Sequence, residues 1–414
     1  MRHPKTLKQI VENGLCIGCG LCQSIAGPHR VQMTMVDPPG RLRPKILQPL
    51  DDKTDAMIVE TCPGVTIDQP LDSEKHKDAK VDTVFGPWIN VWRGHAMDER
   101  IHHVGSSGGV LTALGIYLLE SKKVEFILHV ATSKEQPMRS VRHLSFDRSQ
   151  VMEAVGSRYG PVAPLIDFSE ILNKQKPFAI IGKPCDISAV HNMRKVDERV
   201  NRLVAYTVAF SCGTFADLQC SHAMLKRVGI ESEEELSLFR YRGYGCPGPN
   251  HAETKDGRTA EEPYLDFWYG PWGWTHPFRC KICPDPTGEM TDISVADAWP
   301  GGTPTEEEWG GSSLVISRTP KGDALMRESL NAGVVYLEPS HINALHECQP
   351  HQVTKKQGMA ARLTAIEHEN QIGPNFRNVR LIQAARQRDF DFHMKNFAGT
   401  RVRINRGVNR ERLP

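Results

Sequence analysis

The stretch Cys16-Ile17-Gly18-Cys19-Gly20-Leu21-Cys22 sets three cysteines at every third position, C-x-x-C-x-x-C. Three thiols so spaced cannot all pair with one another. As thiolates they can grip one face of a small inorganic cube. Gly18 and Gly20 give the backbone the freedom that so tight a turn needs. A later Cys62-Pro63 offers the fourth sulfur. This is the ligand pattern of a [4Fe–4S] cluster, with Cys16, Cys19, Cys22 and Cys62 as the expected ligands. A zinc knot draws more often on two Cys or Cys/His pairs than on a triplet.

The rest of the chain has to be compatible with that chemistry. Eleven cysteines among 414 residues, with no apolar signal segment behind Met1, point to a reducing cytoplasm and to metal ligation rather than disulfides. A formal net charge of +2 gives no global field for nucleic acid or a membrane surface. No stretch approaches the roughly 18 uninterrupted apolar residues of a membrane span. The arginines near the end (Arg401, Arg403, Arg406, Arg410, Arg412) have no matching basic face elsewhere and read as a solvated terminus or partner contact. No membrane or nucleic-acid partner is expected.

Three regions follow from composition: a loop-rich module over 1–80, a core over 81–345 and an extension over 346–414. In the first, Val31–Met35 and Leu42–Ile46 flank the turn Val36-Asp37-Pro38-Pro39-Gly40 and predict a hairpin. The charged stretch 68–80 reads as a linker. In the core, strands are expected over 91–96, 124–131, 141–146, 178–181 and 204–213. Helices are expected over 110–122 and 187–195, and a loop at 311–313 leads into a further strand. This alternation predicts an α/β (α+β) core with mixed sheets and chemistry along one edge. Trp268, Trp272 and Trp274 form an aromatic cluster ahead of a second C-x-x-C at Cys280 and Cys283. His346-Glu347-Cys348 with His351 reads as a polar loop, and a helix is expected over about 376–396.

Cys280 and Cys283 make half a cluster site or half a zinc site. Cys185 and Cys212, each ending a strand, are the simplest completion; Cys246 competes for one place, and Cys185 could instead be a redox or nucleophilic thiol. Cys220 and Cys348 read as incidental. A flavin is the usual device for pairing single electrons. The loops Gly105-Ser106-Ser107-Gly108-Gly109 and Gly156-Ser157-Arg158-Tyr159-Gly160, with Lys183, offer what a pyrophosphate wants. Arg242 or Lys183 could stabilise negative charge on a reduced ring.

These motifs, in this order, with Tyr241-Arg242-Gly243-Tyr244-Gly245-Cys246-Pro247-Gly248, Asp292-Ile293-Ser294-Val295-Ala296-Asp297-Ala298-Trp299 and Gly311-Ser312-Ser313-Leu314, resemble the coenzyme F420 hydrogenase/dehydrogenase beta-subunit family over about residues 10–340. The N-terminal cysteine module resembles that of the family's free-standing reductases, the 7-hydroxymethyl chlorophyll a and divinyl chlorophyllide 8-vinyl types. The resemblance implies FAD, [4Fe–4S] clusters and a flavin-binding α/β core carrying a ferredoxin-like module. It implies that Ser107, Gly108, Gly109, Thr112, Ser157, Arg158 and Tyr159 line the flavin, with Ser106 in the same loop, and that Cys280 and Cys283 are cluster ligands.

The expectation is therefore an iron–sulfur flavoprotein oxidoreductase holding two [4Fe–4S] clusters and FAD. Ferredoxin or another electron-donor protein would feed it, and a small conjugated organic substrate would be reduced. Asp297 and Tyr244 are the candidate proton donors. Two alternatives stand beside it: an F420-dependent oxidoreductase subunit, and a non-catalytic electron-transfer subunit of a larger complex. A homo-oligomer is compatible with all three.

Overall fold

The computed structural model describes residues 1–69, 71, 75–269 and 275–414. Trp272 and Trp274 of the expected aromatic cluster, and residues 70 and 72–74 of the expected linker, lie outside the described residues.

An eight-stranded mixed sheet organises the chain. In spatial order its strands are Val335–Ser340, Asn90–Ala96, Ser313–Ser317, Ile293–Asp297, Val204–Phe210, Phe178–Gly182, Phe126–Thr132 and Ser140–Ser145. The strands Ile293–Asp297, Val204–Phe210, Phe178–Gly182 and Phe126–Thr132 pair in parallel. Asn90–Ala96 is antiparallel to Ser313–Ser317, which is antiparallel to Ile293–Asp297, so it points the same way as those four.

Side chains alternate across a strand, so each strand feeds two cores. Ile127, Ala179, Val208, Ile293 and Val315 face helix Val110–Glu120, which buries Val110, Ala113, Leu114, Ile116 and Leu118 against them. Phe126, Leu128, Phe178 and Ile180 face the other way, onto Ile187 and Val190 of helix Pro184–Met193. Ile17, Cys19 and Leu21 of the first cysteine loop pack into this second core. Pro184 opens its helix early, so Cys185 sits in a first turn rather than on the strand itself.

The N-terminal hairpin forms as Val31–Val36 against Arg41–Ile46. Gly18 and Gly20 take φ of +77° and +85°, and a Cβ on Gly20 would lie 2.5 Å from Ile166 Cγ2. The cysteine turn therefore demands glycine there on both counts. Leu7, Ile10, Leu15 and Cys16 share one core with Phe278 and Ile282 around the second C-x-x-C, and with Met359, Ile366 and Ile404 of the C-terminal extension.

Two expectations for the extension need correcting. The helix placed over about 376–396 is instead two, Leu381–Ala385 and Phe390–Asn405, and Asp389 caps the start of the second by accepting from the Phe392 N–H. Residues Asn375–Arg377 pair in parallel with Thr66–Asp68, which takes them out of any helix. The polar loop expected around His346 is helix Ile342–Cys348, with His346 Nε2 3.0 Å from Asp82 Oδ2.

The basic tail folds back rather than trailing in solvent. Arg410 donates to Asn13 Oδ1 at 2.6 Å, and Glu411 lies between Arg41 and Arg43, with Arg43 Nη2 donating at 2.9 Å. Burial alone would raise the Glu411 carboxyl; the Arg43 and Arg41 guanidiniums outweigh it and hold the group below the usual glutamate range. A carboxylate lowered on folding adds stability above its unfolded value of about 4.3, lost as pH falls through the folded value. Glu411→Gln is expected to cost about 3 kcal/mol at neutral pH. It should also flatten the acid limb of stability in urea unfolding; an unchanged acid limb would refute the role given to Glu411.

Among the described residues, no helix is long and apolar enough to cross a membrane.

Candidate functional site

Five strands end at the same edge of the sheet. There backbone groups leave the ladder and become available to other partners. Lys183 and Cys185 follow Gly182, Cys212 follows Phe210, and Asp297 closes its strand. The loop 105–109 is tied to this edge: Ala96 N donates to Gly108 O at 2.6 Å and Gly108 N to Ser313 Oγ at 3.2 Å. Ser107 Oγ donates to Ser312 O at 3.0 Å. The second loop joins it, with Ser157 N donating to Ser106 Oγ at 2.7 Å. Gly109 starts helix Val110–Glu120 with no side-chain cap, so its first-turn amides still need acceptors. Thr112 lies half-buried in that first turn.

Eight of the eleven cysteines gather in two groups of four. Burial first, and neighbouring thiols second, raise Cys19 (with Cys62 and Cys22 beside it) and Cys22 (with Cys16 and Cys62). Burial and then Cys16 push Cys62 up to about 12. Backbone amides point at these sulfurs: Gly18 N to Cys16 Sγ at 3.4 Å, Leu21 to Cys19, Gln23 to Cys22, and Gly64 and Val65 to Cys62. Amides directed at sulfur favour the thiolate and offset part of what burial adds to these thiols.

In the second group, burial and then Cys280 push Cys212 up to about 12, and Cys283 is its neighbour too. Cys185 is raised by burial and then by Asp186, and it also adjoins Cys212 and Cys283. Cys246 lies elsewhere, buried with Sγ 4.0 Å from Arg242 Nη2. Among the described residues, no three His, Cys, Asp or Glu side chains come together as ligands of a single ion. A cube differs, since each of its irons takes a separate thiolate and holds the sulfurs apart.

A small cavity, with room for a water molecule or two, opens at the strand ends. Gly18 and Arg43 line it from the N-terminal side, Gly182, Lys183 and Phe210 from the strand ends, and Arg158 from the second loop. Lys183 Nζ lies 2.7 Å from Asp186 Oδ2. Burial would lower this lysine, but Asp186 and then Cys185 outweigh it and keep it charged. Arg43 and His129 also face the cavity, and neither stands out in the sequence. Burial, then His143, presses His129 down to about 3, so it is neutral there.

Arg242, 3% exposed, grips Asp297 with both Nη atoms, at 3.1 and 3.2 Å, and stacks over Trp299 and Tyr264. Burial would lower the guanidinium; Asp297 outweighs it and raises it well above its usual range. Tyr159 packs edge-on to Tyr241 and Trp268.

Two candidates have other occupations. Tyr244 is 51% exposed, with the Arg240 guanidinium 4.1 Å over its ring, and is not the partly buried donor expected beside Asp297. Arg158 spends its guanidinium on the carbonyls of Pro137, Met138, Arg139 and Phe239, which makes it a clamp between the main sheet and the strand Leu236–Arg240.

Comparisons with known proteins agree with this architecture. Two models of the coenzyme F420 hydrogenase/dehydrogenase beta-subunit family match: the N-terminal one over residues 91–168, and the C-terminal one over residues 175–342. The chain is 24% identical over 262 residues to the coenzyme F420 hydrogenase subunit beta of Methanococcus voltae, covering 61% of this chain and 84% of that one. It is 25% identical over 342 residues to the coenzyme F420-dependent sulfite reductase of Methanocaldococcus jannaschii, covering 77% of this chain and 46% of that protein. A chain of the F420-reducing [NiFe] hydrogenase complex from Methanosarcina barkeri has the same fold, with a TM-score of 0.55 at 20% identity over 72% of this chain and 99% of that one. The protein belongs to the coenzyme F420 hydrogenase/dehydrogenase beta-subunit family.

Proposed function

We propose that this protein is an iron–sulfur oxidoreductase subunit that exchanges a hydride with coenzyme F420 and passes single electrons to a partner. The observation that carries the reading is the gathering of two groups of four thiols near the strand ends where the two glycine-rich loops also meet. The F420-linked relatives favour this over a ferredoxin-fed reductase of a conjugated substrate. Cys16, Cys19, Cys22 and Cys62 would hold one [4Fe–4S] cluster, and Cys185, Cys212, Cys280 and Cys283 the other. When bound, the clusters would store single electrons, and a flavin such as FAD would take up one hydride and release its two electrons singly.

The chain's own residues prepare for this. The amides of Gly18, Leu21 and Gln23 stabilise thiolates. Lys183, fixed by Asp186, keeps a positive charge in the cavity wall. The uncapped start of helix Val110–Glu120 and the loop Ser106–Gly109 would receive phosphate. Arg242 would fix the orientation of the Asp297 carboxylate at the end of its strand.

The test is anaerobic mixing of the full chain with reduced F420. Oxidation of F420 coupled to bleaching of the visible iron–sulfur absorption is expected. Bleaching by reduced ferredoxin, with F420 inert, would overturn the F420 assignment. Clusters that cycle without oxidising F420 or reducing any small acceptor would leave an electron-transfer subunit.

A further inference from the structure

We propose that the C-terminal extension forms a positive wall on the second cysteine group, in which Lys355 and Arg362 raise the reduction potential of the cluster held there. The proposal rests on the reading above that both groups hold clusters.

The extension lies beyond residue 342, where the match to the family's C-terminal model stops. Its side chains are nonetheless hooked onto the backbone that carries the sulfurs. Gln352 Nε2 donates to Cys212 O at 3.1 Å, and Lys355 Nζ donates to the next carbonyl, Gly213 O, at 2.7 Å. Arg362 Nη1 donates to Lys281 O at 2.5 Å, one residue past Cys280. Lys281, Lys355, Arg362 and Arg403 crowd together here. Lys281 feels the other three as like charges, and Cys280 is the group of opposite tendency beside it. None of the four has a carboxylate at salt-bridge distance among the described residues, whereas Arg401, on the same helix as Arg403, is paired with Glu369.

Half-buried cations without counter-charges repel one another, an arrangement that a negative group among them would relieve. A cube held by four thiolates is negative, and the one electron it takes from a donor makes it more so, with no bond made or broken. Nearby cations therefore favour the reduced form. At the first group Arg43, the cation beside Cys16, is already answered by Glu411, and Arg279 stands beside Cys62 and Cys280 alike and so favours neither group. The two sites thus differ in fixed charge, and electrons should come to rest at the second.

The test is a redox titration followed by electron paramagnetic resonance on the full chain, with iron counted on each sample. In Lys355→Met, one of the two midpoints should move to more negative potential while the other stays. Lys355→Met with Arg362→Met should move the same midpoint further, and Lys355→Arg should restore it. Full iron with neither midpoint moved, or with both moved equally, would overturn the inference and leave the proposed function standing. Wild-type protein without iron would overturn both.

Discussion

Cys19→Ala protein, purified anaerobically, is expected to carry about half the iron of the unmodified chain, roughly four atoms in place of roughly eight. Cys19 lies buried where the first thiol group meets the core beneath the main sheet. Losing one corner leaves one iron of a cube without its thiolate, which opens the cluster to loss. Ligand binding and folding are one free energy in so small a module, so its thermal unfolding should also begin earlier. Cys212→Ala should lose the other half of the iron. Cys246→Ala should keep all of it, because that sulfur lies beside Arg242 and not with Cys280 and Cys283. Iron lost from Cys246→Ala and retained in Cys212→Ala would reverse the assignment.

Lys356→Met is expected to destabilise the chain by about 3–5 kcal/mol in urea unfolding. Lys356, 1% exposed, lies 2.5 Å from Glu289, which is fully buried and also meets Arg380. Removing the lysine leaves a carboxylate that water cannot reach and only one cation to answer it. Lys356→Met combined with Glu289→Met should recover part of the loss, giving a coupling of about 1 kcal/mol or more. A single-variant effect within about 0.5 kcal/mol would mean that the pair is dispensable. This contact joins the extension to the segment after the second C-x-x-C, so it also anchors the elements that carry the proposed positive wall.

Much of the fold could be read from local pattern. Phe178–Gly182 and Val204–Phe210 announce themselves as apolar runs ending in glycine or cysteine, since strands buried on both faces leave no polar alternation. The glycines between the cysteines were legible because the turn tolerates nothing else. What local pattern could not carry was long-range pairing. Arg158 sits in a loop that looks made for a ligand, yet its partners are carbonyls over 137–139 and at 239. Tyr244 sits in a glycine-rich motif whose backbone turns the ring outward, with φ of +61°. Nothing local marks Arg43, Glu411, Gln352 or Lys355, because their partners lie up to 368 positions away. The helix expected over 376–396 starts late and is broken in two, and its start fails for the same reason: pairing with Thr66–Asp68 decides the conformation of Asn375–Arg377.

The most direct measurement is an anaerobic spectrum of the full chain with iron, zinc and flavin quantified on the same sample. Brown protein with about eight irons and one flavin per chain, bleaching in two phases as reductant is added, is the expected result. Colourless protein loaded with zinc, or protein holding neither iron nor flavin, would contradict it.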